Sequence, residues 1–284
     1  DAALSVASYR TSRTDWTRPQ FVSPGFPALL AHLIHPLVPD AVPNTITLQP
    51  GRGVLITGSN MSGKSTFLRT VGVNVVLSQT LNTSLASRYR APRLIVQSSI
   101  GRADDLLSGR SYYIAEVERL LALIAASASP APHLFLLDEL FRGTNAIERI
   151  AAGQAILTAL VGRGGKTPHA AIAATHDGEL VDLLPDTYAA HHFGDAIGPD
   201  GLTFDHRLRS GPATSRKVTP AQRHKLEELA REKGFELVQI FEREALAQRL
   251  RENPNWCKRL LGLPGRVSIL SRIPVPPRPR LEIP

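Results

Sequence analysis

Short apolar runs alternate with amphipathic stretches along the chain from Val54 to about Phe204. Each run predicts a buried strand, and each stretch with apolar residues at a helical period predicts a helix. The predicted strands cover 54–57, 94–96, 134–137 and 170–174, and the predicted helices cover 64–79, 112–126 and 147–161. The second helix places its apolar residues at Ile114, Val117, Leu120, Leu121 and Ile124. This alternation is typical of an α/β domain with a largely parallel sheet covered on both faces.

The pattern changes after Gly211. Residues 220–233 and 237–252 predict two charged amphipathic helices separated near a glycine. The chain becomes proline-rich from Leu263, and residues 273–284 hold five prolines. That composition favours polyproline II or disorder over a packed structure.

Composition limits the class of protein, and the distribution of charge changes in the same part of the chain as the sequence pattern does. With 43% apolar residues in 284, the chain has enough for a core, which excludes disorder of the whole. The net charge is +8, but residues 1–201 hold 16 basic and 16 acidic side chains, whereas residues 202–284 hold 17 and 9. The basic C-terminal third suits contact with a DNA backbone, but the Glu residues intermixed with Arg favour a solvated helix pair.

Cysteine content and the lengths of apolar runs indicate the cellular compartment of the protein. A single cysteine, Cys257, excludes an intramolecular disulfide and suits a reducing compartment. The chain has no run of 18 apolar residues and no basic segment followed by an apolar stretch, so neither a membrane span nor a secretory signal is predicted. We therefore expect a cytoplasmic protein, in the bacterial cytosol or nucleoid, with no membrane partner.

The most specific motif is a phosphate-binding loop, residues 58–65, which matches G-x-x-x-x-G-K-[ST] in full. Average composition gives such a match by chance in about one per cent of chains this long. The glycines let backbone amides turn inward, and the following helix adds its positive end, so together they form a nest for the β- and γ-phosphates of a nucleoside triphosphate. Lys64 would neutralise developing charge and Ser65 would ligate Mg²⁺. The alternative is a glycine-rich turn with a solvated lysine.

Two further strands end in polar residues. The apolar run at 134–137 leads into Asp138 and Glu139, at the end of a strand where open α/β sheets place ligands. Asp138 would hold Mg²⁺, and Glu139 would act as general base on the attacking water; a solvated acidic loop or a helix N-cap is the alternative. His176 follows the apolar run at 170–174 and could contact the γ-phosphate, although a lone histidine is more often structural.

These motifs, in this order, resemble the MutS family of mismatch-repair ATPases. The motifs that carry the resemblance are TGSNMSGKST at 57–66, ADDL at 103–106, SGRS at 108–111, LDELFRGT at 137–144 and ATH at 174–176. WTRP at 16–19, HPL at 35–37 and VPN at 42–44 are similar to the lead-in of that ATPase domain, and GPATS at 211–215 is similar to its exit. The likeness covers roughly residues 16–216.

The resemblance implies a P-loop ATPase of the ABC-like type, in which two subunits enclose two nucleotides. It assigns ATP contacts to Gly58, Ser59, Asn60, Met61, Ser62, Gly63, Lys64, Ser65, Thr66 and Val42, and a γ-phosphate contact in trans to Ser111. It gives catalytic roles to Lys64, to Glu139 as base and to His176 as phosphate sensor, with Mg²⁺ on Ser65 and Asp138. The predicted domains are a lead-in at 1–50 and the ATPase domain at 51–216. Beyond the part that resembles the family, composition predicts a charged helical segment at 217–262 and a proline-rich, disordered tail at 263–284.

For function, the resemblance implies ATP hydrolysis that drives DNA mismatch repair or related repair and recombination. The expected partners are a second copy of the chain, mismatched or branched DNA, and other repair proteins. Ser59 stands where the family has proline, Ala41 stands where an aromatic residue often stacks on adenine, and Phe141 in the DE-x-x-RGT motif indicates a divergent branch. The mismatch-reading, connector and clamp regions of full-length members are not in this chain, which predicts a shortened relative or a fragment. The alternatives are a non-hydrolysing DNA-binding or dimerisation fragment and the nucleotide-binding subunit of an ABC transporter. The latter would carry LSGGQ where this chain has SGRS.

Overall fold

A computed structural model describes residues 1–59, 61–100, 112–141, 145–162, 166–198 and 201–213. Its helices are α1 (Ala2–Thr11), α2 (Lys64–Leu81), α3 (Tyr112–Ala126), α4 (Ala146–Val161) and α5 (Glu179–Leu183). Its strands are β1 (Gln20–Phe21), β2 (Ala28–Leu33), β3 (Asn44–Leu48), β4 (Arg52–Thr57), β5 (Arg88–Ala91), β6 (Ile95–Ser99), β7 (His133–Asp138), β8 (Ala170–Ala174), β9 (Tyr188–Gly198) and β10 (Gly201–Ser210). Within these residues no helix is long and apolar enough to cross a bilayer.

The larger sheet has six strands in the order β10-β9-β4-β8-β7-β6. Strands β9, β4, β8, β7 and β6 run parallel, and β10 pairs antiparallel with β9. The prediction of a mixed α/β domain with a largely parallel sheet is therefore confirmed. Ile56 on β4 and Asp138 on β7 both pair with Ala174 on β8, so the carboxyl ends of these three strands lie side by side.

Alternate residues of the central strands pack on opposite faces of this sheet, as the strand period requires. Val54 and Ile56 join one apolar cluster with Phe67 and Val71 of α2. Leu55 joins a second cluster with residues of α3, α4 and α5. Both faces are thus covered, which explains why these strands are continuous apolar runs rather than alternating ones.

A second, four-stranded sheet in the order β1-β5-β2-β3 was not predicted. Its inner face carries the buried residues Leu30, Ile46 and Tyr89, which join the α2 cluster. The sequence signal is weak because β1 has two residues and prolines interrupt the region between residues 19 and 43. The β9–β10 hairpin was also missed, since its alternation of histidine, alanine and aromatic residues fits no simple apolar run.

Two sequence predictions need correction in detail. Leu121 was assigned to the buried face of α3, but it is 53% exposed, and the buried positions include Glu116, Leu120 and Leu123. The strand predicted at 94–96 is instead β6, which starts one residue later and continues to Ser99.

Several predictions lie outside the described residues. They are Asn60, the words at 103–106 and 108–111 with Ser111, the RGT at 142–144, the helices at 220–233 and 237–252, Cys257, and the proline-rich tail at 263–284.

The far end of α2, the helix that begins at Lys64, is held by the N-terminal segment. Arg10 of α1 donates hydrogen bonds from Nη2 to the carbonyl oxygens of Leu81 (2.6 Å) and Asn82 (3.1 Å). A cation here satisfies carbonyls that have no intrahelical partner and complements the negative end of the helix dipole. The C-terminal end of α2, remote from the phosphate-binding loop, is therefore capped by the Arg10 guanidinium.

A buried histidine, His169, is held in its neutral form by two hydrogen bonds. Its Nδ1 accepts the backbone N–H of His133 (3.3 Å) and its Nε2 donates to the Ser127 carbonyl (2.9 Å), so the neutral tautomer has both ring nitrogens satisfied. If Nδ1 were protonated, it and the His133 N–H would be two donors facing each other with no acceptor between them. Burial is the main cause that lowers the pKa of His169 from its ordinary value of 6.5.

We expect the free energy of unfolding to fall as the pH drops below about 6.5, because the unfolded chain then binds the His169 proton first. The His169→Gln variant should show a smaller pH slope, with one proton accounting for at most about 1.4 kcal/mol per pH unit. Urea unfolding at about pH 7.5 and about pH 5.5 measures this. Burial also lowers the pKa of His191, so part of the slope should remain. Identical slopes in wild type and variant would contradict the prediction.

Candidate active site

The phosphate-binding loop connects β4 to α2, as its motif predicts, and its backbone is left-handed at three described positions. These are Gly58 (φ +148°), Met61 (φ +69°) and Gly63 (φ +110°). A Cβ atom at Gly58 would lie 3.0 Å from the Phe193 carbonyl oxygen and from Ser62 Oγ, so the position favours glycine for space as well as for backbone angle.

The N-terminus of α2 is open to an anion. Gly63 occupies the N-cap and supplies no side-chain cap, so the first amides of the helix have no intrahelical acceptor. Ser65 and Thr66 lie in this first turn. Such a helix start, next to a loop with left-handed residues, attracts phosphate through its free amides and dipole.

Lys64 is buried against the loop it belongs to. Its side chain folds back so that Nζ donates to the carbonyl oxygens of Gly58 and Ser59, both at 2.8 Å. Only 4% of the residue is exposed. The ammonium group is therefore enclosed by the loop, where a positive charge acts strongly on a bound anion because little water screens it. Ser62 is fully buried, whereas Met61 is 83% exposed.

The acidic pair stands at the end of β7, next to β8. Asp138 is the last residue of the strand, and its buried Oδ1 has no hydrogen-bond partner among the described residues. Glu139 continues the pairing, since its N–H donates to the Ala174 carbonyl (2.9 Å), and then turns the chain with φ +52°. An uncompensated buried carboxylate oxygen is costly, which is what a cation-binding position would show before the cation binds.

His176 and Glu139 come from different strands and meet at this edge. His176 Nε2 lies 2.5 Å from Glu139 Oε1. The loop that carries His176 is fixed at its start, where the Thr175 N–H donates to the Ile56 carbonyl of β4 (3.0 Å). Sequence reasoning named both residues for separate roles; the structure places them in direct contact.

Two charged residues that support these loops were missed. Glu116 of α3 accepts the Phe141 N–H (2.7 Å) and so holds the turn that follows Glu139. Arg149 of α4 binds Asp177, the residue after His176, through two hydrogen bonds of 2.7 Å. That bond raises the pKa of Arg149. The sequence does hold a signal for Glu116, because this charged residue lies on the same helical face as Leu120 and Leu123. No pattern in the neighbouring sequence distinguishes Arg149.

The lead-in segment reaches the phosphate-binding loop through β10. Asn44 donates from Nδ2 to the carbonyl oxygens of Val42 (3.2 Å) and His206 (2.9 Å), and its Oδ1 accepts the Leu208 N–H (2.7 Å). His206 in turn contacts the Ser62 carbonyl oxygen through Nδ1 (3.0 Å). Because a carbonyl only accepts, Nδ1 carries the proton. The carbonyl oxygen of Val42, which was predicted to contact nucleotide, thus belongs to a network that ends on the loop; His206 was not predicted.

Comparisons with known proteins match the same part of the chain. The family model described as MutS domain V matches residues 54–219. The chain is 35% identical over 228 residues to the protein named DNA mismatch repair protein MutS 2 of Halobacterium salinarum, covering 76% of the chain and 25% of that protein. It is 36% identical over 181 residues to DNA mismatch repair protein MutS of Streptococcus pyogenes serotype M1, covering 62% of the chain and 21% of that protein. It therefore spans a quarter or less of these relatives.

Proposed function

The chain belongs to the MutS family, and from that membership we propose that residues 51–216 form a P-loop ATPase domain that binds and hydrolyses ATP with Mg²⁺. ATP turnover would serve DNA mismatch repair or a related repair reaction. The observation that carries the proposal is the gathering of three motifs at one sheet edge. The loop that encloses Lys64 follows β4, Asp138 ends β7 with Glu139 directly after it, and His176 follows β8.

In this proposal the phosphate-binding loop and the first turn of α2 hold the triphosphate. Residues 58–66 supply backbone amides, and Lys64 supplies a positive charge that is already enclosed by the loop. We propose that the rest of the nucleotide extends towards Val42, whose carbonyl oxygen accepts from Asn44 in the network that reaches Ser62 through His206.

The donors present suit Mg²⁺, which prefers oxygen ligands and keeps several waters. Ser65 would supply a hydroxyl, and Asp138 a carboxylate whose Oδ1 is buried without a hydrogen-bond partner among the described residues. When bound, Mg²⁺ neutralises negative charge on the β- and γ-phosphates.

For hydrolysis, Glu139 is proposed to take the proton of the attacking water. Its carboxylate is partly buried and hydrogen-bonds to His176. We propose that His176 contacts the γ-phosphate when ATP is bound. The same side chain would then sense the phosphate and orient Glu139, the proposed base.

A complete site is proposed to need two chains, because the resemblance assigns the γ-phosphate contact of Ser111 to a second copy. The DNA partner, mismatched or branched, and further repair proteins are proposals drawn from the names of the relatives, DNA mismatch repair protein MutS and MutS 2. Those names favour this proposal over an ABC transporter subunit.

The ATPase rate measured against protein concentration tests the proposal. The specific activity should rise with concentration and reach a plateau when dimers saturate, because one chain lacks the contact in trans. Addition of homoduplex, mismatched or branched DNA should change the plateau rate. ATP binding without turnover at any concentration would favour the non-hydrolysing alternative, and a specific activity independent of concentration would contradict the shared site.

A further inference from the structure

We infer that Arg149 is a positioning residue: through its paired hydrogen bonds to Asp177, it holds the loop that presents His176 to Glu139. The inference rests on the proposed function, because it explains how the proposed sensor and base are kept in contact. Neither the resemblance to the MutS family nor the comparisons assign a role to Arg149 or Asp177.

The geometry of the pair is the first support. Arg149 donates from Nε to Asp177 Oδ2 and from Nη2 to Asp177 Oδ1, both at 2.7 Å. Such a fork fixes the orientation of both groups, whereas a lysine could offer only a point charge. The side chains are 26% and 12% exposed, so water competes with the pair less than at an open surface.

The elements that the pair joins are the second support. Arg149 lies in the first turn of α4, where its N–H bonds to the carbonyl of Asn145, the N-cap residue. Asp177 lies in the loop between β8 and α5, 28 residues further along the chain. The pair therefore connects two separate elements, unlike the equally bidentate Arg13–Asp15 pair, whose partners are two residues apart.

The loop that carries His176 is held by hydrogen bonds to residues outside it. Thr175 is held by β4 through its N–H, and Thr175 Oγ1 accepts the Asp177 N–H (3.0 Å). Asp177 then bonds Arg149, so His176 is fixed on both sides while its own side chain stays 37% exposed. A contact as short as that between His176 and Glu139 requires positioning well below one ångström, which a five-residue helix such as α5 does not supply alone.

Kinetics on the full chain test the inference. Arg149→Ala should lower kcat for ATP about 10- to 100-fold, the usual cost of a small misplacement, with KM changed less than about threefold. Arg149→Lys should recover part of the rate. Arg13→Ala, which removes the matched remote pair, should leave kcat unchanged. An equal loss in Arg13→Ala, or a rise in KM without a fall in kcat, would overturn the inference.

A double-mutant comparison asks whether the effect passes through His176. If it does, adding Arg149→Ala to His176→Ala should cause no further loss of kcat, because the positioned group is already gone. Multiplying losses would show that Arg149 acts by another route and would overturn the inference. Asp177→Asn, which keeps the shape of the side chain, repeats the test if Arg149→Ala does not fold.

A readout independent of turnover separates failure of this inference from failure of the proposed function. The imidazole resonances of His176, assigned by their absence in His176→Ala, should move in Arg149→Ala and Asp177→Asn but not in Arg13→Ala. If the wild-type chain lacks ATPase activity, the proposed function fails while this measurement still decides the role of the pair. Unmoved His176 resonances in both variants would overturn the inference.

Discussion

Replacing Glu139 by glutamine should abolish ATP turnover and leave ATP binding intact. The expected loss in kcat is about 10²- to 10⁴-fold, the range that a general base contributes. The amide has the size of the carboxylate but accepts no proton at neutral pH. Binding should survive because the proposed phosphate contacts come from residues 58–66, which follow β4, whereas Glu139 follows β7.

The structure gives reasons to expect that the Glu139→Gln variant keeps its local fold. The N–H of residue 139 still donates to the Ala174 carbonyl, and glutamine adopts the left-handed backbone about as readily as glutamate. An amide oxygen can still accept from His176 Nε2. Loss of turnover would therefore report lost basicity rather than a collapsed loop.

Glu148→Gln is the matched control. It removes the same charge from α4, near the same sheet edge, from a side chain whose only assigned feature is a first-turn position on that helix. ATP turnover under saturating ATP and ATP affinity measured by equilibrium binding should distinguish the two variants. Undiminished turnover in Glu139→Gln, or an equal loss in Glu148→Gln, would remove Glu139 from the role of base.

The elements that the sequence could predict are those whose signal is local. The helix at 112–126 and the strand at 170–174 occur at the predicted residues, because periodicity and apolar runs fix them without reference to the rest of the chain. The placement of Asp138 and Glu139 at the carboxyl end of a buried strand followed from the rule that open α/β sheets bind ligands there. The contact of Glu139 with His176 agrees with that rule, although its distance could not be foreseen.

What the sequence could not predict depends on residues far apart in the chain. Asn44 and His206 are 162 residues apart, yet their hydrogen bond ties the small sheet region to the hairpin that contacts the phosphate-binding loop. Arg149 looks like an ordinary charged helix residue until Asp177 is brought beside it. Leu121 shows the opposite error, since helical spacing alone left it on the buried side of α3 although the neighbouring elements do not cover it.

Gly53→Ala should destabilise the domain by about 2–4 kcal/mol, the cost of overpacking a core together with a strained hydrogen bond. Gly53 lies on β4, between β8 and β9, where it pairs with Tyr188. An added Cβ would come within 2.0 Å of Tyr188 Cε1 and 2.3 Å of Cδ1, so the aromatic ring would have to move.

The ring has little freedom to move. Tyr188 is 3% exposed, and its hydroxyl donates to the Leu157 carbonyl of α4 (2.9 Å). Burial raises the pKa of this hydroxyl, which keeps it a neutral donor. Displacing the ring would therefore cost both packing and this hydrogen bond, and it would disturb β4, whose end leads into the phosphate-binding loop.

Gly72→Ala provides the control, because it makes the same change at another buried glycine. There the nearest atom to an added Cβ is Leu136 Cδ1 at 2.9 Å, the end of a flexible side chain, and alanine favours the surrounding helix by about 1 kcal/mol. We expect Gly72→Ala to change stability little, and Tyr188→Phe to leave Gly53→Ala unrescued, since ring atoms cause the clash. Urea unfolding measures all three. If Gly53→Ala proves as stable as Gly72→Ala, β4 and Tyr188 do not pack as described, and the support they give to the loop is refuted.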